Sequence, residues 1–217
     1  MGAARNRHLA SSKGAKQPVR EAGGCKRAGF AWITALMIIV LNGYPGTGKL
    51  TIGRHLADRL QGRLVDIHTI YNLAFALTAF KSEAFYRTIR AVQALADDLI
   101  LELPPDVPVI FTEILTHGSD WGDEAHGRLL DLAKARGPLC MVELHCDLTE
   151  NERRIQHPDR ELSRKPRDPG MARRNHERAA VLMGADLPDY LRLDVTHMTA
   201  EGASAAIANW AAKRGSG

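Results

Sequence analysis

The segment IVLNGYPGTGKLTIGRHLA, Ile39 to Ala57, has the residue types and spacing of a phosphate grip. In Gly43-x-x-x-x-Gly48-Lys49 the chain can turn tightly through Pro45, Gly46 and Thr47, so that backbone N–H groups surround a phosphate. The following helix N-terminus adds positive potential, and Lys49 reaches the outer phosphates. In the usual pattern Ser or Thr follows the lysine and its hydroxyl ligates Mg2+. Here that residue is Leu50, and Thr51 comes one position later, about 100° around the helix, where it is better placed for an inner phosphate. The grip on a triphosphate survives, but one direct magnesium ligand is gone. Because Mg2+ keeps several waters and takes few protein ligands, a carboxylate elsewhere is expected to help hold it through water. Asp66 and Glu113 are the candidates.

The elements that must position these residues follow from hydrophobic patterning. Met37 to Asn42 is a continuous apolar run, as in a strand buried on both faces, and a helix over Lys49 to Leu60 follows the glycine loop. RLVDIH (63–68) is a second strand. Phe85, Ile89, Val92, Ala96, Leu99 and Leu103 form one apolar stripe on a helix that Pro104 and Pro105 stop. VPVIFTEIL (107–115) is the third strand, 123–136 a helix and LCMVELHCD (139–147) the fourth strand. Thr149 and Glu152 suggest a capping box, and Pro158 ends the helix they open. Asp168 and Pro169 are a cap and first-turn pair. YLRLDVT (190–196) is the fifth strand, and the last helix closes the chain. Strands alternating with helices predict a parallel sheet covered on both faces, a three-layer α/β fold whose ligands sit at the carboxyl ends of the strands. Glu113 ends the third strand, beside the glycine-loop strand, where the second magnesium-orienting acid of such proteins lies.

A chain of 217 residues with 45% hydrophobic content suits a single domain with a substantial core. Its net charge of +4 is misleading. Residues 1–36 hold seven Lys/Arg against one acid, leaving 22 basic and 24 acidic side chains in residues 37–217, a net of −2. No nucleic-acid partner is expected of a body so balanced. Residues 1–36 are expected to be a disordered basic tail, with the domain spanning 37–217. Lys26 and Arg27 precede an apolar run, Ala28 to Leu41, but no small-residue cleavage site follows. The run is also too short for a membrane span, so neither a leader nor a membrane partner is expected. Three cysteines, an odd number, fit a reduced, cytoplasmic setting. Cys140, Val142, Leu144 and Cys146 alternate on one strand face and read as packing. Zinc-type spacing of Cys and His is absent from the sequence. His117, in the loop after Glu113, is a candidate wall of an acceptor pocket.

With these motifs the chain, over about residues 37–214, resembles the small P-loop kinases that phosphorylate metabolites and nucleosides, including shikimate kinase, gluconate kinase and chloramphenicol phosphotransferase. The combination of LNGYPGTGKLT, VD.H, FTE and CD..EN.RRI is most similar to kinase-like proteins labelled as AAA-family ATPases. The resemblance implies a P-loop NTPase fold with a five-stranded parallel sheet, and a small helical lid at about residues 150–170. It also implies transfer of the γ-phosphoryl group of ATP, with Mg2+, to a hydroxyl of a small-molecule acceptor. Lys49 would hold the β- and γ-phosphates, and Asp66 would orient the hydroxyl, with His68 nearby. SEAFYR resembles a substrate-binding helix start, which makes Arg87 a candidate, although Ser82 replaces the family's glycine. No GGG follows the third strand, so the match to shikimate kinases is partial. In NERRIQHPDRELSRKPRD the lid arginines, foremost Arg153 and Arg160 with Arg154, Arg164, Lys165 and Arg167 around them, would meet charge on the transferred group. The alternative left open is an ATP-binding switch or assembly factor with slow hydrolysis and a protein partner.

Overall fold

The computed structural model describes residues 37–158, 160, 167–178 and 182–214. The tail over 1–36 and the lid positions Arg164 and Lys165 lie outside the described residues. Strand β1, Ile38–Asn42, is buried at every position, as its unbroken apolar run requires of a central strand. It lies between β3 (Val109–Glu113) and β4 (Leu139–His145), and β2 (Arg63–Asp66) and β5 (Tyr190–Asp194) form the edges. All pairings are parallel, giving the order β2-β3-β1-β4-β5. Asn42 stands opposite Glu113 on one side and Glu143 on the other, which sets the carboxyl edge of the sheet.

The helices are α1 (Lys49–Leu60), α2 (Ile67–Leu77), α3 (Glu83–Leu101), α4 (Asp120–Arg136), α5 (Leu148–Ile155), α6 (Pro169–Arg178) and α7 (Ala200–Ala212). Side chains alternate across β1 and build two cores. Ile39 and Leu41, with Cys140, Val142 and Leu144 of β4, pack against Ile52 and Leu56 of α1 and Ile207 and Ala211 of α7. Ile38 and Val40, with Phe111 and Met141, pack against Leu129 and Leu132 of α4 and Ile100 of α3. A third cluster joins Ile70 and Ala74 of α2 to Phe85 and Ile89 of α3.

The five strands and the alternation of elements are those expected, with α1 at its expected bounds. Elsewhere the structure corrects the expectation. The second strand ends at Asp66, and the chain turns at once into α2, which the apolar run had concealed. On α3 the buried positions are Phe85, Ile89, Gln93 and Ile100, whereas Leu99 is exposed. Helix α5 is capped by Asp147, whose carboxylate accepts from the Glu150 N–H at 2.7 Å, in place of the expected Thr149–Glu152 box. Asp168 and Pro169 do open α6, with Asp168 accepting from the Gly170 N–H at 2.8 Å. Ser82, Ser119 and Thr199 cap α3, α4 and α7.

Candidate active site

The chain leaves β1 through a loop that requires its glycines. Gly46 and Gly48 have φ of 94° and 87°, the left-handed region that disfavours other L-residues. A Cβ on Gly43 would lie 2.6 Å from the Leu144 carbonyl oxygen, and one on Gly46 would lie 2.6 Å from Asn151 Nδ2. Thr47 Oγ1 donates to the Tyr44 carbonyl at 2.9 Å, and Lys49 Nζ donates to the carbonyls of Gly43 and Tyr44, the latter at 2.9 Å. The result is a narrow anion cradle at the N-terminus of α1, the place where backbone amides and helix polarity favour phosphate. Buried Asn151, from α5, braces it by donating to the Pro45 carbonyl at 3.0 Å. Buried Asn42, at the end of β1, bonds Leu115 in both directions and donates to the Met183 carbonyl, fixing the neighbouring strand exits.

The cradle opens into a cleft of about 910 Å3. Pro45, Gly46, Gly48, Lys49, Leu50 and Thr51 border it, while Thr47 turns toward a second hollow of about 550 Å3. Leu50 is half-buried at the cleft wall rather than locked in the core. Asp66 and His68 face the cleft from the end of β2 and the start of α2. Thr112 Oγ1 accepts from the Ile67 N–H at 3.1 Å and donates to Asp66 Oδ1 at 2.6 Å. The threonine's single proton is thereby committed to the carboxylate, and the orientation of Asp66 is set by β3.

Arg153 and Arg160 also line the cleft. Both guanidinium contacts of Arg153 to Glu150 are 2.6 Å. Arg154 shares Glu150 and donates to the carbonyls of Val195 and Thr196, tying α5 to the loop after β5. These hydrogen bonds, first from Arg153 and then from Arg154, hold the Glu150 carboxyl down at about 2.

Three residues expected at the site are not brought to the cleft. Arg87 is exposed on α3 and absent from the lining, because its helix presents Phe85 and Ile89 inward instead. Glu113 is buried behind the wall, with Arg128 Nη2 at 3.8 Å from its Oε1. Burial pushes its carboxyl up to about 7, against the pull of Arg128 and Lys49 and with a further push from Asp66. His117 is likewise exposed and does not line the cleft. For magnesium, then, the donor set in the cleft reduces to Asp66 among the two acids considered.

Arg128 escaped the sequence reading. It sits among part-buried groups, donates to Asp97 at 2.6 Å and stacks over Phe111 at 5.5 Å from the ring centre. Nothing in its helical spacing distinguishes it from a solvated arginine. Asn42 and Asn151 were equally hidden, since a polar residue at a strand end or on a charged helix carries no local signal of burial. Among the described residues no cluster of three or more His, Cys, Asp or Glu could hold a metal, and no helix is long and apolar enough to cross a membrane.

Comparison with known proteins agrees with the fold. A protein from Chloroflexus aurantiacus J-10-fl, described provisionally as a kinase, superposes with a TM-score of 0.59 at 19% identity, covering 83% of this chain and 96% of its own. A gluconokinase from Sinorhizobium meliloti 1021 superposes with a TM-score of 0.50 at 16% identity, covering 82% of this chain and 94% of its own. At such identities the likeness is one of fold. No curated protein matches the chain in sequence. The family described as AAA domain matches residues 39–181, more than half the chain. On that match the chain belongs to the AAA domain family.

Proposed function

We propose that the protein is a phosphotransferase that moves the γ-phosphoryl group of ATP to a hydroxyl of a small-molecule acceptor. The observation that carries this reading is the shared cleft: the glycine cradle with Lys49 and the β3-oriented carboxylate of Asp66 open into one space. Phosphoryl transfer asks the protein mainly for positioning and charge. The acceptor oxygen would attack the γ-phosphorus, a new P–O bond would form as the bond to the β,γ-bridging oxygen breaks, and ADP would leave. Asp66 would orient the acceptor hydroxyl and take its proton. Lys49 would neutralise the outer phosphates, and Arg153 and Arg160 would meet charge spread over the transferred oxygens. Mg2+ accompanying the nucleotide would supply further neutralisation, with Asp66 as the residue to hold it through water.

The test pairs two variants. Lys49→Ala is expected to cut ATP affinity or turnover by on the order of a hundredfold, because it removes the point charge on the transferred group. Asp66→Asn is expected to abolish transfer while ATP binding stays near the parent value, since an amide keeps the shape and loses the charge. Unchanged nucleotide binding in the first variant would remove the phosphate-grip assignment.

A second reading, a nucleotide-driven switch with a protein partner, draws on the exposed leucines of α2 and α3, among them Leu73, Leu77, Leu95 and Leu99. It requires ATP hydrolysis that no hydroxyl compound stimulates. Measuring ADP release with and without a broad acceptor panel separates the two.

A further inference from the structure

The lining of the cleft falls into two arms, drawn from opposite edges of the sheet. Toward β5 the wall is Val195, Met198 and Ala200, apolar groups beside the Arg154 staple. Toward β2 the wall is Ile67, His68, Tyr71 and Phe75 from α2, Phe80 from the turn that follows, and Ile114 after β3. Asp66 belongs to this second arm, which identifies it as the acceptor side.

The acceptor arm is built from rings. His68, Tyr71 and Phe75 recur at three and four residues and so share one face of α2. The His68 and Phe75 rings are stacked at 6.4 Å between centres and 26°, and Phe75 and Phe80 continue the stack at 5.9 Å and 27°. Phe85, buried in the third core cluster, supports them from below, 5.2 Å from Phe75 and edge-on to Phe80 at 5.4 Å. Despite this support, Phe75 and Phe80 keep 39% and 66% of their surface exposed. α2 and the turn after it contribute no Lys or Arg to the lining among the described residues. Arg87, the candidate substrate-binding arginine, is exposed and absent from the lining. The cation nearest this wall, Lys81, is engaged over the Phe80 ring at 5.5 Å from its centre, and an open-chain polyol has no ring to add to the stack. A flat ring would extend the stack and be held by offset stacking and apolar burial.

We propose that the acceptor is an aromatic alcohol, its ring held on the His68–Phe75–Phe80 stack and its hydroxyl presented to Asp66. This rests on the phosphotransferase reading for its chemistry, but the ring-binding surface is measurable without it. The experiment is ligand-observed NMR on the full chain with a non-hydrolysable ATP analogue, using 2-phenylethanol and 3-phenyl-1,2-propanediol against glycerol and gluconate. The aromatic pair is expected to bind at least tenfold tighter than the other pair and to remain bound beside the nucleotide analogue. Phe75→Ala and Phe80→Ala should each weaken aromatic binding severalfold and the double variant by tenfold or more, with a smaller effect for Phe75→Leu. Neither side chain belongs to a core cluster, and a melting curve checks that the fold is kept. Equal binding of the two pairs, no effect of the phenylalanine variants, or displacement of the aromatic pair by the nucleotide analogue would each overturn the proposal. The last outcome would mean that the rings hold the nucleobase. Tight aromatic binding without ADP release when ATP replaces the analogue would leave the ring site standing and remove the phosphotransferase reading instead.

Discussion

Glu113 shows what one buried side chain does to the whole stability profile. Its carboxyl, pushed up to about 7 by burial against an ordinary value of 4.5, keeps a proton in the folded chain that the unfolded chain has already released. Between those values the folded state binds more protons, so its stability is full below about 4.5 and falls as pH rises through about 7. The span corresponds to about 3 kcal/mol at most. Glu113→Gln, which cannot titrate, is expected to flatten the decline in Tm over that window, measured by calorimetry in a chelating buffer. Parallel Tm profiles for variant and parent would show that the carboxyl is ionised throughout. The sequence marked Glu113 as an acid at the right strand end, and the register beside Asn42 agrees. What it could not reveal was the partner: Arg128 arrives from α4, fifteen residues along, and side-chain burial is a property of packing rather than of spacing. Leu50 is the opposite case. The missing hydroxyl was legible directly, and the structure adds that the leucine lines the cleft.

At the level of elements, the loop between β1 and α1 depends on α5 through a single amide. Asn151 donates to the Pro45 carbonyl and fills the space beside Gly46. Gly46→Ala is therefore wrong twice: its φ of 94° is in the left-handed region, and its Cβ would meet Asn151 Nδ2 at 2.6 Å. The backbone cost is about 1–2 kcal/mol, and relief of the clash would move the cradle amides. ATP affinity measured by calorimetry is expected to fall tenfold or more, with a modest drop in Tm; a variant that binds ATP as the parent does would show that the loop tolerates the shift. The cradle was readable because its glycines recur at a spacing dictated by phosphate geometry. Helix α2 was not. IHTIYNLAFAL is rich in β-branched and aromatic residues, and Asp66 at its N-cap position makes no side-chain cap hydrogen bond, so neither propensity nor capping announced a helix. The packing of Ile70 and Ala74 onto Phe85 and Ile89 decides it.

For the whole molecule, the three core clusters among the described residues run from Met37 to Ala211. Met37 is itself fully buried, and its carbonyl accepts from the Val109 N–H at 3.0 Å. We propose from composition that residues 1–36 contribute charge but no core. A chain shortened to begin at Met37 is expected to keep its Tm and its ATP affinity, read by calorimetry, and a clear fall in either would make the preceding residues part of the fold. The alternation of strands and helices, and hence the fold class, was legible because each buried strand is a solid apolar run. The placement of the side chains around the cleft was not, because it depends on which helices cross which edge.

The strand order has a consequence for how such a chain can diversify. Val195 to Ala200 hang from one edge of the sheet, and the ring-bearing stretch 67–80 hangs from the other, with β3, β1 and β4 between them. On the proposed phosphotransferase reading, drift in the ring-bearing stretch would alter what is accepted without touching how the phosphates are gripped, so lineages could exchange one set of aromatic side chains for another while inheriting an unchanged engine. A graft of residues 67–80 between relatives is the smallest unit by which that inheritance can be redirected.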